Sequence, residues 1–153
     1  MKKILKNKGF TLIEILVVIG IIAILATIVI IAINPARQFA QARNTQRISN
    51  LNSILNGVGQ DVADNKGIFT CPSIGTAIAT ATTTIGTAAG SSNLATCLVP
   101  TYIPSAIPVD PTNGTDADTK YQISVNTNGR YLICAPNGAE AAVPGSTAIC
   151  VSR

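Results

Sequence analysis

Residues 10–33 hold twenty apolar side chains in twenty-four positions, interrupted only by Thr11, Glu14, Gly20 and Thr27. As a helix rising about 1.5 Å per residue, this run measures roughly 36 Å, enough to cross a hydrocarbon layer of about 30 Å. Lys2, Lys3, Lys6 and Lys8 precede it. The bias of basic residues to the inner side predicts a cytoplasmic N-terminus and export of everything after Asn34. A secretory signal peptide has an apolar stretch of about seven to fifteen residues ending in an A-x-A-like site. Here the run is longer, and Ala23-Ile24-Leu25-Ala26 has the wrong spacing for that cut. Glu14, five residues into the run, is costly in a bilayer, on the order of a few kcal/mol. A plain single-pass anchor gives no reason to keep it; its carboxyl either sits near the interface, protonated or snorkelling, or has a partner.

The order Gly9, Phe10, Thr11, Leu12, Ile13, Glu14 behind a short basic leader resembles the class III signal of type IV pilins and pseudopilins. The resemblance is strong over residues 8–33 and weak beyond them. It implies cleavage after Gly9 by a prepilin peptidase, which also methylates the new N-terminus at Phe10. It further implies that the α-amino group of Phe10 on one subunit pairs with Glu14 of an adjacent one. An ammonium and a carboxylate in low dielectric attract strongly enough to offset much of their desolvation. The expected partners are further copies of the chain in a helical filament, the peptidase, an inner-membrane platform protein and an assembly ATPase. The last is needed because the chain has no phosphate-binding loop.

The net charge of +4 is a property of the leader. Without its four lysines, seven basic and seven acidic residues remain, so the processed chain is neutral and no nucleic acid is expected as a partner. Arg37, Arg43 and Arg47 follow the apolar run and read as solvated cations on a helix face, or else as contacts to lipid head groups or neighbouring subunits. The absence of histidine removes His-based triads and His-ligated metal sites. With no paired catalytic groups or cofactor motif, the chain reads as a non-enzyme. Cys71, Cys97, Cys134 and Cys150 form no CxxC pair. An even count in an exported domain predicts two disulfides. Sequence-local pairing, Cys71 with Cys97 and Cys134 with Cys150, is the preferred one of three connectivities.

Asn34-Pro35 closes the apolar run, and proline there predicts a kink or a melted turn. Beyond it Ile48, Leu51, Leu55, Val58 and Val62 recur at steps of three and four, with Ile54 widening the stripe. This predicts an amphipathic helix to about Asp64, stopped by Asn65-Lys66-Gly67. Residues 75–96, rich in Thr, Ala, Gly and Ser, read as a flexible loop, with a weak strand over 78–85 as the alternative. Prolines 100, 104, 108 and 111 forbid helix and predict an extended surface path. Asp110, Asp116 and Asp118 surround a turn and offer hard oxygen ligands of the kind calcium takes. Major pseudopilins bind calcium in a comparable loop, but Asp, Asn and Gly also suit a plain turn. Tyr121, Ile123 and Val125 alternate with polar residues, Asn128-Gly129 signals a hairpin, Arg130–Ala135 returns, and Thr147–Val151 supplies a third strand.

The expected organisation is therefore a leader over 1–9, a transmembrane and assembly helix over 10–33, an amphipathic continuation over 34–66, and a small extracytoplasmic sheet domain over 67–153. The fold class is α+β and type IV pilin-like: a long N-terminal helix, half in membrane and half packed on a small antiparallel sheet. The expected role is a structural subunit of a type IV pilus-like filament, held in the bacterial cell membrane before assembly and at the surface or in the periplasm after it. A type II secretion pseudopilin, or a minor pilin acting in adhesion or DNA uptake, are the alternatives.

Overall fold

The computed structural model describes residues 9–74 and 78–153. The leader up to Lys8, with its four lysines, and residues 75–77 of the Thr-rich stretch lie outside the described residues. The architecture is α+β. An apolar helix α1 (Leu12–Ile33) is followed by α2 (Pro35–Asp64), β1 (Thr83–Thr84), a short α3 (Ala95–Leu98), β2 (Gln122–Val125), β3 (Tyr131–Ala135), a 3-10 turn (Pro136–Gly138) and β4 (Ile149–Ser152). The strands form one antiparallel sheet in the order β1-β2-β3-β4. By contacts the chain divides into two compact units, the first ending at Gln38 and the second starting at Phe39.

In the first unit, one residue separates the helices. Asn34 takes a left-handed conformation (φ 48°) that ends α1. Its side-chain oxygen then accepts from Arg37 N at 3.3 Å, so it also caps the start of α2. Pro35 occupies the first position of α2, where its missing N–H costs no helical bond. At Asn34-Pro35, where a kink or a melted turn is expected, the helical run is interrupted by the single residue Asn34, which caps both helices.

In the second unit, α2 buries Leu51, Ile54, Leu55 and Val58 against Phe69, Ile78, Ile85, Leu94, Leu98, Ile103, Ile107, Tyr121, Ile123 and Ile133. The stripe is rotated from the expected one. Ala40, Arg47, Ile54 and Asp61, at seven-residue spacing, are all buried, whereas Ile48 is 44% exposed. Two positions of the inward face thus carry charge, and an apolar residue lies outside it. The helix ends as its sequence predicts: Gly67 N donates to Val62 O at 2.8 Å, with Lys66 and Gly67 at positive φ. Asp61 holds the chain beyond this end, accepting from Thr70 N at 2.8 Å and from Asn65 Nδ2 at 3.1 Å.

The Thr-rich stretch is tied down at intervals. Ile78, Ile85 and Leu94 are core residues, and the strand in it is only the two residues of β1. Gly86 lies directly under the backbone of Ala117, where a Cβ would collide. Cys71 is bonded to Cys97 and Cys134 to Cys150, so the first disulfide brackets this stretch and the second joins β3 to β4.

Candidate functional site: the N-terminal segment

The start of α1 is built as a capping box. Thr11 is extended (φ −83°, ψ 151°), and its hydroxyl accepts from Glu14 N at 3.3 Å. Glu14 reaches back: its Oε2 accepts from Thr11 N at 2.8 Å and from the Thr11 hydroxyl at 2.7 Å. This satisfies N–H groups that have no partner inside the helix, and it sets a negative charge at the positive end of the helix dipole. Both bonds fall on Oε2, so Oε1 has no partner among the described residues. The sequence carries the signature of this cap, a threonine three residues before a glutamate, yet Thr11 does not stand out when Glu14 is read only as a residue awaiting a partner.

Gly9 and Phe10 lie outside the helix in irregular, exposed backbone, with Phe10 at 86% exposure. The Gly9–Phe10 peptide bond is therefore open to a protease without unwinding α1. Its hydrolysis would create an amine one residue before the capping box, in sequence reach of the Glu14 carboxylate. Along α1 itself no residue is buried. Over an 18-residue window its mean hydropathy is 3.4. At about 1.5 Å per residue, its 22 residues span roughly 33 Å, long enough to cross a bilayer. An apolar surface of this kind is stable only against lipid or other apolar helices.

The acids of the 110–118 loop do other work. Arg47 is 1% exposed and uses all five guanidinium N–H groups. Nε and Nη2 donate to Asp110 at 2.7 and 3.2 Å, Nη2 also donates to Thr112 Oγ1 at 2.8 Å, and Nη1 donates to Asn44 Oδ1 at 2.8 Å and Glu140 Oε1 at 2.6 Å. Arg43 completes the cluster with a two-pronged pair to Glu140 at 2.8 and 2.7 Å. Burial alone would raise the Asp110 carboxyl, but hydrogen bonds from Arg47 and the Thr112 backbone outweigh it and hold the carboxyl below its usual range. Glu140, bonded first by Arg43 and then by Arg47, is lowered to about 2. Arg43 and Arg47 are therefore not the solvated cations that their position after the apolar run suggests. Arg47 lies on the inward face, where a charge must be paired.

Of the three acids considered for calcium, Asp110 is engaged by Arg47 and Asp118 by Lys120, while Asp116 is exposed. The structure does not bring them together, and among the described residues no three His, Cys, Asp or Glu side chains form a group that could hold a metal ion. The loop closes on itself instead. Asp110 N donates to Thr119 O at 3.0 Å, and Gly114 N donates to Asp110 O at 3.0 Å. A Cβ on Gly114 would strike the backbone of Asp110 and Thr119, which is why the turn needs glycine there.

Comparison with known families gives one match. Residues 4–30 fit the prokaryotic N-terminal methylation motif. The chain carries the class III signal of type IV pilins and pseudopilins. No curated protein and no solved structure matches it. The match starts within the leader and runs across the Gly9–Phe10 bond, the capping box and most of α1. This pilin-type signal marks families of structural subunits rather than a class of enzymes. With the apolar α1 it fits anchoring in a membrane before assembly.

Proposed function

We propose that this chain is a structural subunit of a type IV pilus-like filament, cleaved after Gly9, N-methylated at Phe10 and assembled through α1. The observation that carries this reading is the methylation motif over residues 4–30 set on a helix with no buried residue. Hydrolysis of the exposed Gly9–Phe10 bond frees an α-amino group, and methyl transfer to that nitrogen leaves it cationic. In an assembling filament this ammonium meets Glu14 of a neighbouring subunit. Oε2 stays with Thr11, and Oε1 accepts the new partner. The pairing fixes the axial register of one helix against the next, and apolar contact between helices supplies the cohesion. The peptidase, the platform protein and the ATPase act on this segment before and during assembly.

The test is mass spectrometry of the intact protein from sheared surface filaments and from membranes. A chain starting at Phe10 and heavier by one methyl group in the sheared fraction is the expected result. The same processed chain confined to membranes favours a secretion pseudopilin. An intact leader in a host with an active peptidase overturns the reading.

A further inference from the structure

Of the chain's seven acids, Glu14, Asp61, Asp64, Asp110, Asp118 and Glu140 all accept hydrogen bonds within the chain. Asp116, the remaining one, is exposed, and among the described residues nothing donates to its carboxylate. It stands at the rim of a pocket of about 180 Å³. The buried side chains of Ile85, Leu94 and Ile107 line it, and Val99 and Ala106 complete its apolar wall. Small-molecule sites usually measure about 300–1,000 Å³, so this pocket has room for a single side chain. An apolar wall with one carboxylate at the rim suits an alkyl stem that ends in a cation.

The pocket lies at the end of the sheet where β1 leaves and β2 begins. There Thr87 N donates to Asp116 O at 3.0 Å, and Thr119 N donates to Ile85 O at 3.0 Å. The β2–β3 hairpin tip is at the opposite end. Residues 126–130 are exposed throughout. Arg130 N donates to Asn126 Oδ1 at 2.9 Å, which holds the tip, while among the described residues the Arg130 guanidinium has no partner. Arg153 shares that end, but its guanidinium lies against Gly59 of α2. Arg37 belongs to the first unit, and Lys66 to the turn that closes α2. Between tip and pocket runs β2, whose four residues span about 13 Å at 3.3 Å each.

We propose that Arg130 on the hairpin tip of one copy enters the pocket of the next, its stem on the apolar wall and its guanidinium on the Asp116 carboxylate. This rests on the filament reading. Charge and topology together supply the argument for the occupant. The free cation and the free anion sit at opposite ends of the strands, so copies that share one orientation bring them together with no twofold axis. A contact between two different surfaces of this kind propagates along an open assembly. Two copies meeting through the same end would oppose like charges instead. An exposed pair adds little cohesion by itself. It selects which ends meet where apolar helices already hold the copies at high effective concentration.

Charge reversal tests this. Asp116→Arg or Arg130→Asp sets like charges against each other at every contact, and the double variant restores attraction with the roles exchanged. Each single variant is expected to lower the yield of sheared filaments at least threefold at unchanged Tm, and the double variant to recover at least half of the original yield. Recovery within one chain is ruled out by the length of β2 between the two residues. Single variants with unchanged yield, or a double variant no better than the singles, overturn the proposal. Loss of yield from Ala106→Trp, which fills the pocket, with none from Asp116→Arg means an apolar occupant and overturns it as well. Should a reversal lower Tm, an Ala117→Cys, Asn128→Cys double variant keeps both charges and decides instead. These exposed positions are farther apart in one chain than the roughly 7 Å that a disulfide bridges between Cα atoms. Mild oxidation of filaments is expected to give a ladder of multimers from the double variant and none from either single, with the native disulfides intact by peptide mapping. Monomer alone overturns the contact. If the unaltered chain makes no filaments, it is the filament reading that fails. The same oxidation in the producing cell's membrane, where all copies share one orientation, then decides the contact by the same outcomes.

Discussion

The two long helices treat charge in opposite ways. On α1 the one acid, Glu14, sits on a surface with no buried neighbour and is held by Thr11 alone, three residues away. On α2 the two arginines past Phe39 turn inward, and Arg47 is enclosed by Asp110, Thr112, Asn44 and Glu140, three of them from outside α2. A helix with no buried residue along an apolar surface is stable only against lipid or other apolar helices. A helix whose charges are saturated by its own domain is already finished. In the proposed filament the first is a reagent for assembly, and the second is a part of a fold.

The largest effect should come from breaking the finished side. Asp110→Ala leaves Arg47 buried with three of its five hydrogen bonds and one of its two carboxylates, and breaking a buried pair from one side costs about 3–5 kcal/mol. The Tm of the sheet domain, followed by circular dichroism of the full chain in detergent, should fall by roughly 15 °C or more. Replacing Arg47 and Asp110 together with leucine should recover most of that loss. If the double variant is as unstable as the single one, the cluster does more than neutralise charge.

Next in size is the disulfide around the Thr-rich stretch. Cys71→Ser with Cys97→Ser releases a loop of 26 residues in sequence separation, worth about 3 kcal/mol in the loop-entropy model. The same melt measures it, and α1 should keep its helical signal throughout.

A smaller effect follows from pH. Glu140 has its carboxyl depressed from 4.5 to about 2, so its pairing with Arg43 and Arg47 stabilises fully above the unfolded value. That contribution should decline as pH falls below about 4.5 and be gone below about 2. Glu140→Gln should flatten the Tm-versus-pH curve in this window, with about 1–2 kcal/mol lost at neutral pH for a partly exposed group. A wild-type curve that is flat from pH 5 to 2 would count against the cluster.

The smallest folding effects belong to α1. Thr11→Val removes the cap and should cost about 1 kcal/mol, read as fraying of the first turn in amide exchange. Glu14→Ala should leave the domain's Tm, cleavage and membrane insertion untouched while filament yield collapses. Wild-type yield from that variant would break the contrast between the helices outright.

What the sequence discloses follows from how local each cause is. The membrane run, the stop at Asn65-Lys66-Gly67 and the β2–β3 hairpin are written in adjacent residues, and the hairpin closes as expected around Gly129 (φ 75°). The Thr11 cap was equally local. The inward turn of Arg47 was not, because its partners lie 63 and 93 positions away. Continuing the seven-residue spacing back from Asp61 and Ile54 would have reached it, but a stripe drawn only through apolar residues runs past it to Ile48. The anchoring of the Thr-rich stretch was hidden for a related reason, since three aliphatic side chains among many small ones fix it.

The charges on the inward face of α2 also bear on how the chain is delivered. An arginine or aspartate at the middle of a helix costs the insertion machinery about 2.5–3.5 kcal/mol each. With Arg47 near its centre and Arg37, Arg43, Asp61 and Asp64 also along it, α2 presents no stretch apolar enough to pass into lipid. Among the described residues only α1 is long and apolar enough to stop in a membrane.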